Sequence, residues 1–350
     1  MFIQGVGSAT PPNAYTQKEC WDAFCRSPYL KDLSSRSQAI LRKVLTGNSG
    51  IETRHFAMQN LDEAFSLDPN TLHRRFAENA PVLAAEAARK ALDQAELSSV
   101  DALLISTCTG YLCPGLTSYV SELLGLAPQA YLSDFVGHGC GAALPNLKAA
   151  HALLHSGQAR NVLSICVEIC SAAFFVDNDP GVLVSNCLFA DGAAAIVTGL
   201  EPARNIRPVH WEHYATRLNS RDRDLLRFES RNGMLRNVLD KSVPLLVVEQ
   251  LKEVLAELEV KSGLNPASFQ EWVVHSGGRD VLAAIQNGLG VPSEKLEISA
   301  AVLRENGNIS SPCVLFALEK ALQNNGPGGT WLLAAYGAGI TCHGALLRVE

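Results

Sequence analysis

The 350-residue chain is poor in charge and in aromatic side chains: Asp, Glu, Lys and Arg make up 18% of it, and Phe, Trp and Tyr only 7%. With a hydrophobic fraction of 47%, so little charge excludes a disordered chain and describes a compact globule with buried strands. Basic residues are not in excess. Against 35 acidic residues stand 29 Lys and Arg, a net charge of −6, so the field that nucleic acid or an anionic membrane requires is missing. A small-molecule partner is expected instead. No apolar run approaches the roughly 18 residues that span a bilayer. The opening MFIQGVGSATPPN has no charged segment ahead of a long apolar one, and a cytoplasmic protein is expected. The ten cysteines include no CxxC pair, and several sit in apolar runs such as VLSICVEIC, which predicts buried thiols rather than a disulfide framework. Metal-ligand spacings are equally scarce. The one HxxxH, His151 and His155, falls on an apolar helix pattern with no third ligand, so no metal site is expected.

What is present is alternation. At about 150 residues per domain the length predicts two units or one duplicated unit. Short β-rich runs begin at Asp101, Asn161, Ala193, Glu271, Thr330 and Gly344. Helix patterns run over Pro81–Ala95, Ala142–Ser156, Leu246–Val260 and Pro312–Gln323, the mark of a layered α/β fold. The two halves share landmarks at one spacing: Thr107 and His275, Cys140 and Asn308, and Leu163 and Trp331 each lie 168 positions apart. The chain is therefore read as internally duplicated, with halves at 1–200 and 201–350. The spacing shrinks to about 150 near Ala193 and Gly344, which predicts an insertion in the first half around FFVDNDPGVLVSN. Corresponding helix starts of a duplicated unit meet at its centre, so Cys140 and Asn308 are expected side by side, with His275 joining from the end of its strand.

These three residues suit one chemistry. Gly139 and Gly141 let the chain turn sharply at Cys140, and Pro145 marks a helix start, so the thiol is expected in the positive end of a helix dipole with a lowered pKa. An imidazolium at His275 would stabilise the thiolate and could later donate to an oxyanion. The Asn308 amide is a donor that cannot accept a substrate's proton. Together they fit acyl transfer with enolate stabilisation, without metal or organic cofactor.

The motifs VGSATPPNAYTQ, STCTGYLCPG, GHGCGAALP, LFADGAAA, HSGGRDVL, GNISSPCVLF and YGAGIT resemble those of the type III polyketide synthases, the chalcone synthase-like family, from end to end of the chain. The resemblance implies a thiolase-like, internally duplicated αβαβα fold and a homodimer. It makes Cys140 the acyl-accepting nucleophile, His275 its partner and Asn308 the second donor to the malonyl thioester carbonyl. It makes Phe189 a gatekeeper between CoA tunnel and cavity, and places Cys108, Thr109, Cys113, Cys170, Ala173, Ser310, Tyr336, Gly337 and Gly339 around the cavity. Ala335 and Ala338 depart from the first Gly and the Pro of the family's Gly-Phe-Gly-Pro-Gly loop. Asn237 is the best match to a second gatekeeper phenylalanine, and His138 is a further departure. Arg42, Lys43 and Arg54, with Gly277 and Gly278, are the residues expected at the CoA moiety.

The activity so implied is loading of an acyl-CoA starter on Cys140, repeated decarboxylative Claisen extension with malonyl-CoA, and closure to a pyrone, resorcinol or phloroglucinol ring. The same residues leave open a single-condensation ketosynthase, a thioester hydrolase or a noncatalytic scaffold. The small and thiol-bearing wall residues favour a flexible aliphatic starter over a rigid coumaroyl-like one.

Overall fold

The computed structural model describes residues 1–350. Its strands are β1 (Phe2–Ala9), β2 (Ala14–Thr16), β3 (Thr53–His55), β4 (Ala102–Thr107), β5 (Tyr131–Val136), β6 (Asn161–Glu168), β7 (Gly192–Gly199), β8 (Val209–Leu218), β9 (Leu226–Arg231), β10 (Met234–Leu239), β11 (Glu271–Val274), β12 (Gly329–Gly337) and β13 (Thr341–Val349). Nine form one sheet in the order β11-β12-β13-β8-β1-β7-β6-β4-β5, while β2 pairs with β3 and β9 with β10.

That long sheet is two sheets meeting at a narrow seam, since β1 touches β8 only through Phe2 with His210 and Ile3 with Val209. On either side the pairing senses match. β6 runs parallel to β4 and antiparallel to β7, as β12 runs parallel to β11 and antiparallel to β13. Only the edge strand β5 lacks a counterpart. The expected insertion is also visible: helix Pro180–Leu188 lies between β6 and β7, where the second half has only the turn Ala338–Ile340.

Period-two alternation sends the two faces of each sheet to different cores. In β6, Val162 and Cys166 join a central core, whereas Leu163, Ile165 and Val167 pack beneath helix Pro69–Ala95. In β12, Trp331, Leu333 and Ala335 face the same central core, and Leu332, Ala334 and Tyr336 pack beneath helix Val243–Ser262. Helices Ala143–His155 and Cys313–Gln323 fill the middle. The result is five layers, helix, sheet, helix, sheet, helix.

One predicted boundary fails. The helix expected from Pro81 starts at Pro69, where Asp68 accepts from the Thr71 nitrogen as N-cap, and Pro81 lies inside it. The turns ahead of Pro81 bury Leu72 and Phe76, and this packing outweighs the amide lost at the proline. No helix is long and apolar enough to cross a membrane.

Candidate active site

Cys140 sits in the tight turn Gly139–Gly141, just ahead of helix Ala143–His155. Gly139 has φ +58°, and a Cβ there would lie 2.8 Å from the Ala338 nitrogen. Glycine is thus required by backbone conformation and by the close approach of the other half. The turn packs against the end of β12, which brings the two halves together at the thiol.

The corresponding turn in the second half, Gly307–Ser311, holds Asn308. Its Oδ1 accepts from the Ser310 nitrogen at 2.9 Å, and its Nδ2 donates to the Gly277 carbonyl at 2.9 Å. Ser310 is held at φ +58°, an uncommon conformation for a residue with a side chain. There its hydroxyl lies 3.2 Å from Cys140 Sγ, 3.4 Å from Glu168 Oε1 and 3.7 Å from Cys108 Sγ. Backbone bonds tie Asn308 to the segment around Phe189: the Asn308 nitrogen donates to the Leu188 carbonyl, and the Ala190 nitrogen donates to the Asn308 carbonyl.

Glu168, at the end of β6, is fully buried. It accepts from the Cys108 nitrogen at 2.9 Å and from the hydroxyls of Thr109 at 2.9 Å and Ser311 at 2.7 Å. Burial raises its pKa, opposed by these donors.

His275 follows β11 and is buried beside Tyr336, with ring centroids 4.9 Å apart at 60°. Its Nδ1 has no partner. Burial lowers its pKa to about 3 and raises that of Cys140 to about 12, the Cys140 shift being opposed by the Ser310 hydrogen bond. Burial therefore works against the expected thiolate and imidazolium. The thiol's hydrogen bond is with Ser310 rather than His275, and desolvation favours the neutral form of each group.

Cys140 opens into a cavity lined mostly by apolar side chains. Among its walls are the predicted Phe189, Cys108, Thr109, Cys170, Ala173, Ser310 and Asn237. Phe228, which sequence reasoning missed, pairs in register with Asn237 across β9 and β10 and supplies an aromatic wall from the facing strand. The turn Asn232–Gly233, with both residues at positive φ, is the hairpin signal that could have found it. A second, largely apolar cavity shares Phe174 and Asn186 with the first.

Several expected positions are corrected. Cys113 is exposed, outside the cavity wall. Tyr336, Gly337 and Gly339 do not line the cavity; Ala338 does. Gly337 instead gives room to the Cys140 turn, and Tyr336 backs His275. Arg54 is only 2% exposed, and its guanidinium donates to the carbonyls of Asn186 at 2.7 Å and Phe189 at 2.9 Å. It braces the Asn186–Phe189 segment from inside and cannot meet a phosphate in solvent. Arg42 and Lys43 lie exposed on helix Ser35–Thr46. Gly277 and Gly278 stand at the start of helix Arg279–Leu289, whose exposed Arg279 reaches the Asn48 carbonyl after that first helix. His138 is half-buried beside the nucleophile turn and outside the cavity lining.

A duplicated five-layer α/β fold with a thiol, an imidazole and a carboxamide gathered where its halves meet defines a thiolase-like acyl-transfer enzyme. The chain matches the chalcone and stilbene synthases, their N-terminal domain over residues 1–202 and their C-terminal domain over residues 228–350. It belongs to that family. It is similar to the 3,5-dihydroxyphenylacetyl-CoA synthase of Streptomyces toyocaensis, 32% identical over 362 residues covering 99% of this chain and 89% of that protein. Its fold is similar to that of 1,3,6,8-tetrahydroxynaphthalene synthase of Streptomyces coelicolor A3(2), a bacterial type III polyketide synthase. There the TM-score is 0.87 at 25% identity, with 100% and 99% of the two chains covered. It is also similar to the PKS-I of the brown alga Ectocarpus siliculosus, with a TM-score of 0.91 at 25% identity over 99% and 98% of the chains. The chain is a type III polyketide synthase, an acyltransferase that extends by iterative condensation with malonyl-CoA.

Proposed function

We propose that Cys140, His275 and Asn308 carry the chemistry of this synthase. Cys140 Sγ attacks the thioester carbonyl of an acyl-CoA, the carbon–sulfur bond to CoA breaks, and the thiol proton passes through His275 to the departing CoA. Malonyl-CoA then loses CO₂, and the electron pair left on its α-carbon is delocalised onto the thioester oxygen. Neutral N–H donors from His275 and Asn308 stabilise that enolate, each such donor being worth about 3–4 kcal/mol in a preorganised site. The carbanion attacks the acyl carbonyl on Cys140, the carbon–sulfur bond to Cys140 breaks, and the cycle repeats.

The observation that carries this reading is the chain of contacts across the pseudo-symmetric centre. Ser310 donates to Cys140, Asn308 is fixed by Ser310 and Gly277, and the Gly277 loop carries His275. CoA thioesters and the chain's own side chains suffice for every step. The CoA phosphates are assigned to Arg42, Lys43 and the exposed Arg279, with Arg54 withdrawn. The test is the rate of malonyl-CoA consumption by Arg42→Ala and Lys43→Ala, where KM should rise about threefold to tenfold per lost ion pair with kcat unchanged.

The enzyme acts as a cytoplasmic homodimer in this reading. Edge strand β5 leaves Tyr131, Leu132 and Val136 exposed, and Tyr111, Tyr119 and Leu123 nearby in sequence add apolar surface. An unpaired apolar edge is what a second copy would cover, and light scattering measures it. A flexible aliphatic starter suits the cavity, whose walls are apolar and whose Asn237 amide is already engaged with the Ser185 hydroxyl at 2.7 Å.

A further inference from the structure

One buried hydroxyl joins the two donor residues of the site. Tyr336 lies at the end of β12, 4% exposed, where the family's loop motif carries phenylalanine. Its Oη donates to the His275 carbonyl at 2.7 Å and accepts from the Gly277 nitrogen at 3.1 Å. The phenol thus closes a ring around the backbone of His275, Ser276 and Gly277. The same segment turns the Gly277 carbonyl toward Asn308, whose Nδ2 donates to it at 2.9 Å. The ring of Tyr336 also meets the imidazole edge to face, so rotation of His275 is opposed from that side.

We propose that Tyr336 is a positioning residue: its hydroxyl clamps the His275–Gly277 loop and thereby sets the His275 imidazole and the Asn308 amide for one shared oxyanion. A bare phenylalanine would leave the His275 carbonyl and the Gly277 amide without this partner, and buried backbone groups without partners shift to find them. A shift of the loop moves both donors together, because one carries the loop's side chain and the other is anchored on its carbonyl. Preorganised donors lose about a hundredfold for displacements of about 1 Å.

The inference rests on the roles assigned above to His275 and Asn308, so the experiment separates the two. Malonyl-CoA decarboxylation is measured in the intact enzyme and in Tyr336→Phe, Asn308→Ala and the double variant, with thermal melting and Cys140 alkylation by iodoacetamide as controls. Phenylalanine at this place in the family makes the single substitution compatible with the fold. Tyr336→Phe should lower kcat by about tenfold to a hundredfold. KM and the alkylation rate should stay within about twofold of the parent enzyme. In the Asn308→Ala background the same substitution should cost clearly less, because half of what the clamp positions is already gone. The clamp is overturned if Tyr336→Phe keeps kcat within about twofold. It is equally overturned if the factor is the same in both backgrounds, which would mark an independent structural effect. Full decarboxylation by Asn308→Ala alone would instead refute the assignment of Asn308.

Discussion

The Ser310 hydroxyl donates to Cys140 Sγ across 3.2 Å, from a residue held at φ +58°. It is the largest influence opposing the burial of Cys140, which even so pushes the thiol up to about 12. Removing it with Ser310→Ala should raise that value further and slow loading of the starter by about tenfold to a hundredfold, the worth of a hydrogen bond to a developing charge. In the parent enzyme, iodoacetamide alkylation of Cys140 should climb about tenfold per pH unit from neutral through alkaline pH without a plateau. A plateau near pH 7 would show a standing thiolate and contradict the dominance of burial over the Ser310 hydrogen bond.

Asn308→Ala should abolish most decarboxylation while leaving acylation of Cys140 nearly intact, since an amide donates to an enolate but activates no thiol. The loss should be about a hundredfold to a thousandfold. The Ser310 nitrogen and the Gly277 carbonyl also lose their partner, so stability should fall by about 1–3 kcal/mol. Separate measurement of CO₂ release and acyl-enzyme formation decides the matter; equal losses in both steps would count against it.

Acid should unfold the protein partly through His275. Its folded-state pKa of about 3 lies below the ordinary 6.5, so the unfolded chain binds a proton that the folded chain refuses. Stability is therefore complete above pH 6.5 and declines as pH falls toward 3, by about 1.4 kcal/mol per unit for one such group. His275→Gln should remove that slope from urea midpoints measured across the window. An unchanged slope would place the acid sensitivity elsewhere.

Starter choice should follow cavity volume. Ala173 lines the wall, and Ala173→Phe should shorten the preferred acyl chain. Phe228→Ala should lengthen it, and Phe174→Ala should open the neighbouring apolar cavity to the tail. Each methylene taken up gains about 0.8 kcal/mol before ordering costs. Comparison of kcat/KM from acetyl-CoA to palmitoyl-CoA, with coumaroyl-CoA alongside, gives the profile. A flat series, or coumaroyl-CoA as the best starter, would contradict an aliphatic preference.

Much of this centre was legible because duplication writes itself into spacing. Cys140 and Asn308 could be paired from a constant offset, and the insertion holding helix Pro180–Leu188 appeared as a break in it. Roles that depend on distant partners were not legible. Arg54 stands in a basic-looking stretch, yet its acceptors lie at Asn186 and Phe189, far along the chain, so its burial has no local signal. Glu168 hides in an apolar strand run; a lone acid there is itself a sign that donors converge on it. Tyr336 reads as one more aromatic of a buried strand, and only the fold shows what its hydroxyl holds. A helix start that favours a thiolate is visible in sequence, whereas the burial that opposes it is not.

The central claim, that Cys140 is the acyl-accepting nucleophile at the meeting of the two halves, is tested most directly by trapping the acyl-enzyme. The enzyme is mixed with a radiolabelled or isotope-tagged acyl-CoA in the absence of malonyl-CoA, digested, and mapped by peptide mass. One label per chain on Cys140, absent from a folded Cys140→Ala variant, is the predicted result. A label on Cys108, Cys170 or any other residue, or undiminished condensation by Cys140→Ala, would contradict it.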